Sequence, residues 1–158
     1  MNYGDLVENV KSKKLIKAGL VSIYVDADTN QSFGLYEDGH TALVPIGETI
    51  PSGLFNECLS LVSVELSDSV QTISARAFEG DTNLETVTIF ATIPPTLENT
   101  NAFPSGCNFY VFSDYVEDFQ TAPGWSSFRA RIFPIPTVML RPPVVSISGF
   151  QLTINGAD

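Results

Sequence analysis

Few residues in this sequence have the types and spacing that chemistry requires. The best-ordered oxygen donors are Asp26, Asp28, Asn30, Ser32 and Glu37. They fall at positions 1, 3, 5, 7 and 12 of a calcium-loop template, which sets hard oxygens on alternate residues and ends in a bidentate carboxylate. Position 6 of that template needs glycine for its sharp turn and is Gln31 here, and the flanks read as strands where the template has helices. Asp, Asn, Thr and Ser also gather in exposed turns because their side chains bond the local backbone. A plain polar turn is therefore the expectation, with calcium as the alternative. The single histidine, His40, lies in a turn beside acids, with no second histidine or nearby cysteine to share a metal. No serine sits in a G-x-S-x-G elbow, and neither G-x-G-x-x-G nor a P-loop occurs. No spacing pairs two carboxylates in one cleft for acid–base work. Cys58 and Cys107 are too few for a disulfide scaffold and are expected as buried free thiols that behave as small hydrophobes. The chain reads as a non-enzyme without cofactor or metal.

Composition narrows the partners. The 158 residues are 44% hydrophobic and 16% charged, which describes a chain with a real core. The 18 acidic and 8 basic residues leave a net charge of −10, unsuited to a nucleic-acid backbone. The charge is unevenly spread. All four lysines (Lys11, Lys13, Lys14, Lys17) lie in residues 1–18 against two acids, a net of +2. The rest holds four arginines against 16 acids, a net of −12. That basic segment is the candidate docking site for an acidic partner surface. No run approaches the ~20 apolar residues of a membrane span, and the first residues do not read as a secretory signal.

The elements that would position these residues follow the chain. Residues 5–18 predict a short amphipathic helix with Asp5 as N-cap and Gly19 as its stop. Leu20–Val25 predicts a strand, with Val21, Ile23 and Val25 on one face and Ser22 and Tyr24 on the other. Phe33–Tyr36 and Thr41–Val44 predict two more strands joined at Glu37-Asp38-Gly39, so that residues 1–47 form a helix and β-meander cap. Residues 134–158 predict an extended connector with four prolines (Pro134, Pro136, Pro142, Pro143), then a strand over Ser146–Ile154 that lacks a partner within the chain.

Between them, residues 48–133 carry a repeat. Ile50, Phe55, Leu61, Val64 and Leu66 recur 23 residues later as Ile73, Phe78, Leu84, Val87 and Ile89. A fixed period of this size predicts a solenoid whose units bury their apolar faces on one another. A degenerate third coil follows, with Phe103 at the Phe position, Cys107 at the Cys position and Phe109 with Val111 as its strand, after a lengthened loop from Thr92 to Ala102. Ser113 is the expected N-cap of a short last helix, and Tyr115, Phe119, Trp125 and Phe128 are expected as core.

The pattern Ile-x4-Phe-x2-Cys-x2-Leu-x2-Val-x-Leu resembles the BspA-type leucine-rich repeat of bacterial surface, phage and protist proteins, over roughly residues 46–135. The resemblance implies a mostly β fold with short helices, a family closing unit at residues 109–128, and binding without catalytic residues. The expected function is a non-enzymatic interaction or adhesion protein on a virion or cell surface, anchored through its termini. A phage head fibre or decoration protein fits that description; a secreted bacterial adhesin fragment and a calcium-binding domain are the alternatives. The expected partners are a protein or glycan on a surface and other subunits of an assembly.

Overall fold

The 23-residue period sets the register of the sheets. A computed structural model describes residues 17–136. The repeat strands are β5 (Ser63–Leu66), β7 (Thr86–Ile89) and β9 (Asn108–Val111). They stack in parallel, Val64 beside Val87 beside Phe109 and Leu66 beside Ile89 beside Val111. Across the core, β4 (Thr49–Ile50), β6 (Thr72–Ile73) and β8 (Thr96–Leu97) form a second parallel sheet, with Ile50, Ile73 and Leu97 in register. Each coil contributes one strand to each sheet. Alternation along a strand turns every second side chain inward, which is why Val64, Leu66, Val87, Ile89, Phe109 and Val111 are all buried. Between the sheets, Phe55, Phe78 and Phe103 form a continuous stack, with 5.1 Å between successive rings and interplanar angles of 13° and 9°.

The larger sheet continues past the repeat at both ends. Its order is β10-β9-β7-β5-β1-β2-β3, where β1 is Leu20–Val25, β2 is Ser32–Tyr36, β3 is Thr41–Leu43 and β10 is Ile132–Pro134. The meander is antiparallel within itself, but β1 runs parallel to β5 and places Ile23 beside Val64. Its second turn is the expected one, with Gly39 at φ +92, a left-handed conformation glycine adopts without a steric penalty. The facing of β1 differs from simple alternation. A bulge at Val21 lets both Leu20 and Ile23 point into the core, because the extra residue shifts the pleat by one. Val21 and Val25 are only partly buried. At the other end β10 lies on the sheet edge, the position in a sheet that tolerates Pro134. Ile135 then donates its N–H to Val111 O at 2.7 Å and is itself buried.

Two expectations in the third coil change. The lengthened loop contains β8, so Leu97 occupies the Ile50 and Ile73 position. Cys107 occupies the Leu position, not the Cys position. Leu61 N–H bonds Cys58 O and Leu84 N–H bonds Asp81 O; in the third coil Cys107 N–H bonds Pro104 O. Shortening of the turn by three residues between Phe103 and Phe109 moves the thiol forward. Ser113 is likewise not an N-cap. It opens a 3-10 turn (Ser113–Tyr115), so the extended residue a cap requires is Phe112; helix α1 (Val116–Thr121) follows without a side-chain cap. Trp125, Phe119 and Phe128 are buried as expected and Tyr115 is partly so; the Trp125 indole donates to Pro95 O at 2.7 Å. The expected helix at residues 5–18, apart from its last two residues, and the strand at Ser146–Ile154 lie outside the described residues.

Candidate interaction surface

The oxygen donors of the calcium template are not brought together. The β1–β2 turn satisfies Asp26 locally: its carboxylate accepts the Asp28 N–H at 3.1 Å and the Thr29 hydroxyl at 3.0 Å. Asn30 adopts φ +61 and donates its side-chain amide to Asp68 Oδ1 and to Ser69 Oγ, at 2.9 and 3.3 Å. Ser32 is buried in β2. Glu37 lies beyond the opposite end of β2, about 17 Å along the strand, where it accepts the Ser60 hydroxyl at 2.9 Å. A strand runs where the template needs a loop. Among the described residues no group of three His, Cys, Asp or Glu side chains could hold a metal ion. Millimolar calcium is therefore expected to leave the thermal midpoint unchanged, since an ion bound only by the folded state raises it; a calcium-dependent rise in a paired melt would refute this.

Other ionisable groups are tied into the scaffold. His40 contacts Asp38 Oδ1 through Nδ1 at 2.5 Å and stacks on Tyr36 with 4.4 Å between ring centres. The His40 backbone N–H, then its ring, holds the Asp38 carboxyl below its usual range. Burial pushes both cysteine thiols up to about 12, so neither supplies a thiolate near neutrality. Asp81 stands where the first coil has Cys58, fully buried. Its Oδ1 accepts the Cys58 N–H at 2.7 Å, and its Oδ2 has no hydrogen-bond partner. Burial raises that carboxyl to about 7. Of the four lysines, Lys17 is turned to the body: its ammonium lies against Gly53 O and Asn56 O, each at 3.2 Å, and against Asn56 Oδ1. Three acceptors match the three donors of an ammonium. Lys11, Lys13 and Lys14 lie outside the described residues.

The outward face of the large sheet carries a feature that the repeat pattern does not contain. Side chains alternate with the buried set, and the pairings place one outward residue from each strand in a single row. Leu43 lies beside Phe33, and Phe33 beside Tyr24. One residue beyond the Ile23–Val64 pair, Tyr24 meets Glu65, whose Oε1 accepts the Val25 N–H at 2.9 Å. Glu65 lies beside Thr88, Thr88 beside Tyr110, and Tyr110 beside Phe133. The row thus has an aromatic pair at each flank, Tyr24 with Phe33 at 5.9 Å and Tyr110 with Phe133 at 5.7 Å between ring centres. Its centre is polar, with Thr88 buried at only 4% exposed. One step along the sheet Phe90 and Phe112 form a third pair at 5.9 Å.

The coil geometry has a counterpart among known families. The family model described as BspA type Leucine rich repeat region (6 copies) matches residues 47–112. Over this stretch the chain is similar to BspA-type leucine-rich repeats. The matched stretch runs from just before β4 to just after β9 and holds the three coils. Repeats of this type build protein-interaction scaffolds typical of bacterial surface proteins, and leucine-rich repeats are typically non-enzymatic. No curated protein matches the chain. No described helix is long and apolar enough to cross a membrane.

The aromatic row extends beyond the repeat region on both sides, since Tyr24 and Phe33 precede it and Phe133 follows it. Sequence reasoning missed the row as a unit. The available signal was period-two alternation: each of these aromatics neighbours a residue that faces the core, such as Ile23, Phe109 or Ile132. Nothing in the spacing joins positions 24 and 133.

Proposed function

We propose that this chain is a non-enzymatic interaction protein displayed on a particle or cell surface, with the outward face of the large sheet as its contact surface. The observation that carries this reading is the cross-sheet row. Six aromatic rings, Phe133 exposed and the other five partly so, lie on the outward face of the large sheet, opposite the buried core. Aromatic side chains left on an open surface serve contact, because their burial against a partner recovers the free energy their exposure costs.

In this reading the chain divides into a cap at 1–47, a repeat body at 48–133 and a connector at 134–158. The meander and the Trp125 plug act as end caps that keep the terminal coils from exposing their core. Lys11, Lys13 and Lys14 dock the chain on an acidic surface of its parent assembly, a virion or a cell envelope, while Lys17 fixes the base of that segment to the body. The test uses a membrane-impermeant biotin reagent on intact particles or cells that carry the tagged chain. The full chain is expected to be labelled and to sediment with them, and a variant lacking residues 2–16 is expected in the supernatant. Protection of the full chain from the reagent would overturn surface display.

A further inference from the structure

Lys17 and Asp81 meet at one turn of the first coil, residues 53–58, which leads from β4 toward β5. Lys17 reaches this turn from the leading segment, with its ammonium against Gly53 O, Asn56 O and Asn56 Oδ1. Asp81 reaches it from the second coil. Its Oδ1 accepts the Cys58 N–H at 2.7 Å, and its Oδ2 is buried without a hydrogen-bond partner. The three acceptors around Lys17 are uncharged oxygens, so the strength of its hold depends on the charge that stands behind them. Among the described residues, the charged and titratable groups facing Asp81 are Glu57 and the Cys58 thiol of the same turn, Lys17, and the Cys107 thiol of the third coil. Lys17 is the one cation in that set. Burial brings the Asp81 carboxyl into titration near neutrality and keeps both thiols protonated there.

We propose that the charge on Asp81 sets how firmly Lys17, and with it the base of the leading segment, is held to the body, a device that rests on the reading of that segment as the docking element. With the carboxyl protonated, Lys17 sits on neutral oxygens alone. Once the proton leaves, a carboxylate with one bare oxygen stands in the core, where its field is poorly screened, and the ammonium seated on the same turn is the cation that this field attracts. The coupling is reciprocal: a charge on Asp81 tightens Lys17, and the charge on Lys17 favours ionised Asp81, by the same factor. The Lys17 charge already opposes the burial that raises the carboxyl. Ionisation therefore costs the core stability and at the same time fastens the segment. Above about pH 7 the segment is held more firmly, and in acid it is freer.

Two measurements on the full chain test this. Trypsin must draw the Lys17 side chain out of its seat to cut after it, whereas Lys11 in the same digest reports the protease's own response to pH. The ratio of cleavage after Lys17 to cleavage after Lys11, read by mass spectrometry, is expected to fall about fivefold from pH 6 to pH 8. In Asp81→Asn it is expected to stay level, with circular dichroism confirming the fold of both proteins. A level ratio in the wild type, or an equal fall in the asparagine variant, would overturn the proposal. The second measurement follows the Asp81 carboxyl carbon by NMR. Reciprocity converts a fivefold tighter hold into a titration midpoint about 0.7 higher in Lys17→Gln, and an unmoved midpoint would equally overturn the coupling. Neither measurement involves a particle or a cell, so a failed coupling leaves surface display standing and a failed labelling experiment leaves the coupling standing.

Discussion

Phe78→Ala is expected to lower the free energy of unfolding by about 3–5 kcal/mol, the usual cost of truncating a fully buried aromatic ring. Phe78 is completely buried and is the middle member of the three-ring stack, in face-to-face contact with Phe55 on one side and Phe103 on the other. The substitution removes apolar area, leaves a cavity and breaks both ring contacts, each of which adds about 0.5–1.5 kcal/mol beyond burial. It also strikes the coupling between coils. A repeat array holds together through nearest-neighbour interfaces, and Phe78 serves both interfaces of the middle coil. Total stability of a domain this size is about 5–15 kcal/mol, so the variant should be largely unfolded at physiological temperature or show a broadened transition. Phe78→Leu keeps most of the volume and is expected to cost about half as much. Urea unfolding followed by circular dichroism checks both; a loss below about 1.5 kcal/mol for the alanine variant would show that the stack does not couple the coils.

Asp81→Asn is expected to stabilise the protein above neutral pH and to remove a pH dependence from it. Asp81 is buried at the position where the coils meet, and the proton on its carboxyl is held to about 7 against an ordinary value of 3.8. Burial is the main cause. The Cys58 N–H and the Lys17 charge oppose it, and the Glu57 charge adds to it; the Cys107 thiol also lies within its electrostatic reach and stays protonated over this range. A group whose folded value is raised contributes stability that is fully present below its unfolded value and is lost as pH rises through its folded value. For Asp81 the window runs from pH 3.8 to about 7, and the loss across it is on the order of 2–4 kcal/mol. Asparagine retains an oxygen to accept the Cys58 N–H and cannot ionise. The difference in unfolding free energy, variant minus wild type, should therefore grow between pH 4 and pH 8. Taking the difference cancels the titration of the exposed acids. A difference that stays constant with pH would mean that the carboxyl is not held protonated in the fold.

How much of this was legible in the sequence varies by element. The 23-residue period located Val64, Leu66, Val87 and Ile89 in the core and placed the strands in parallel, because a repeat that buries its own neighbours must return each apolar residue to the same position. The hairpin turn at Glu37-Asp38-Gly39 was legible from its residue types. Where spacing departed from the period, local reading failed. Cys107 matches Cys58 in type, but the shortened turn moves it to the Leu position, and Leu97 falls out of the 23-residue period because its coil lengthens before it. The alternation of β1 gives way to a bulge, and pairing Leu20 with Tyr36 and Ser22 with Leu35 turns both Leu20 and Ile23 into the core, which strict alternation would place on opposite faces.

The same division holds for function. By itself the sequence determined the repeat scaffold, the acidic body with its basic leading segment, and the lack of any recognisable catalytic device, because these depend on residue types and on spacings within one coil. Only the tertiary structure decided that Asp26 and Glu37 stand apart, since a strand formed between them; that Lys17 belongs to the body; and that Asp81 is buried with an unsatisfied oxygen. It alone assembled the row from Phe33 to Phe133. Those rings come from segments a hundred residues apart in sequence, and strand pairing, a long-range contact that leaves no local periodicity, is what sets them side by side.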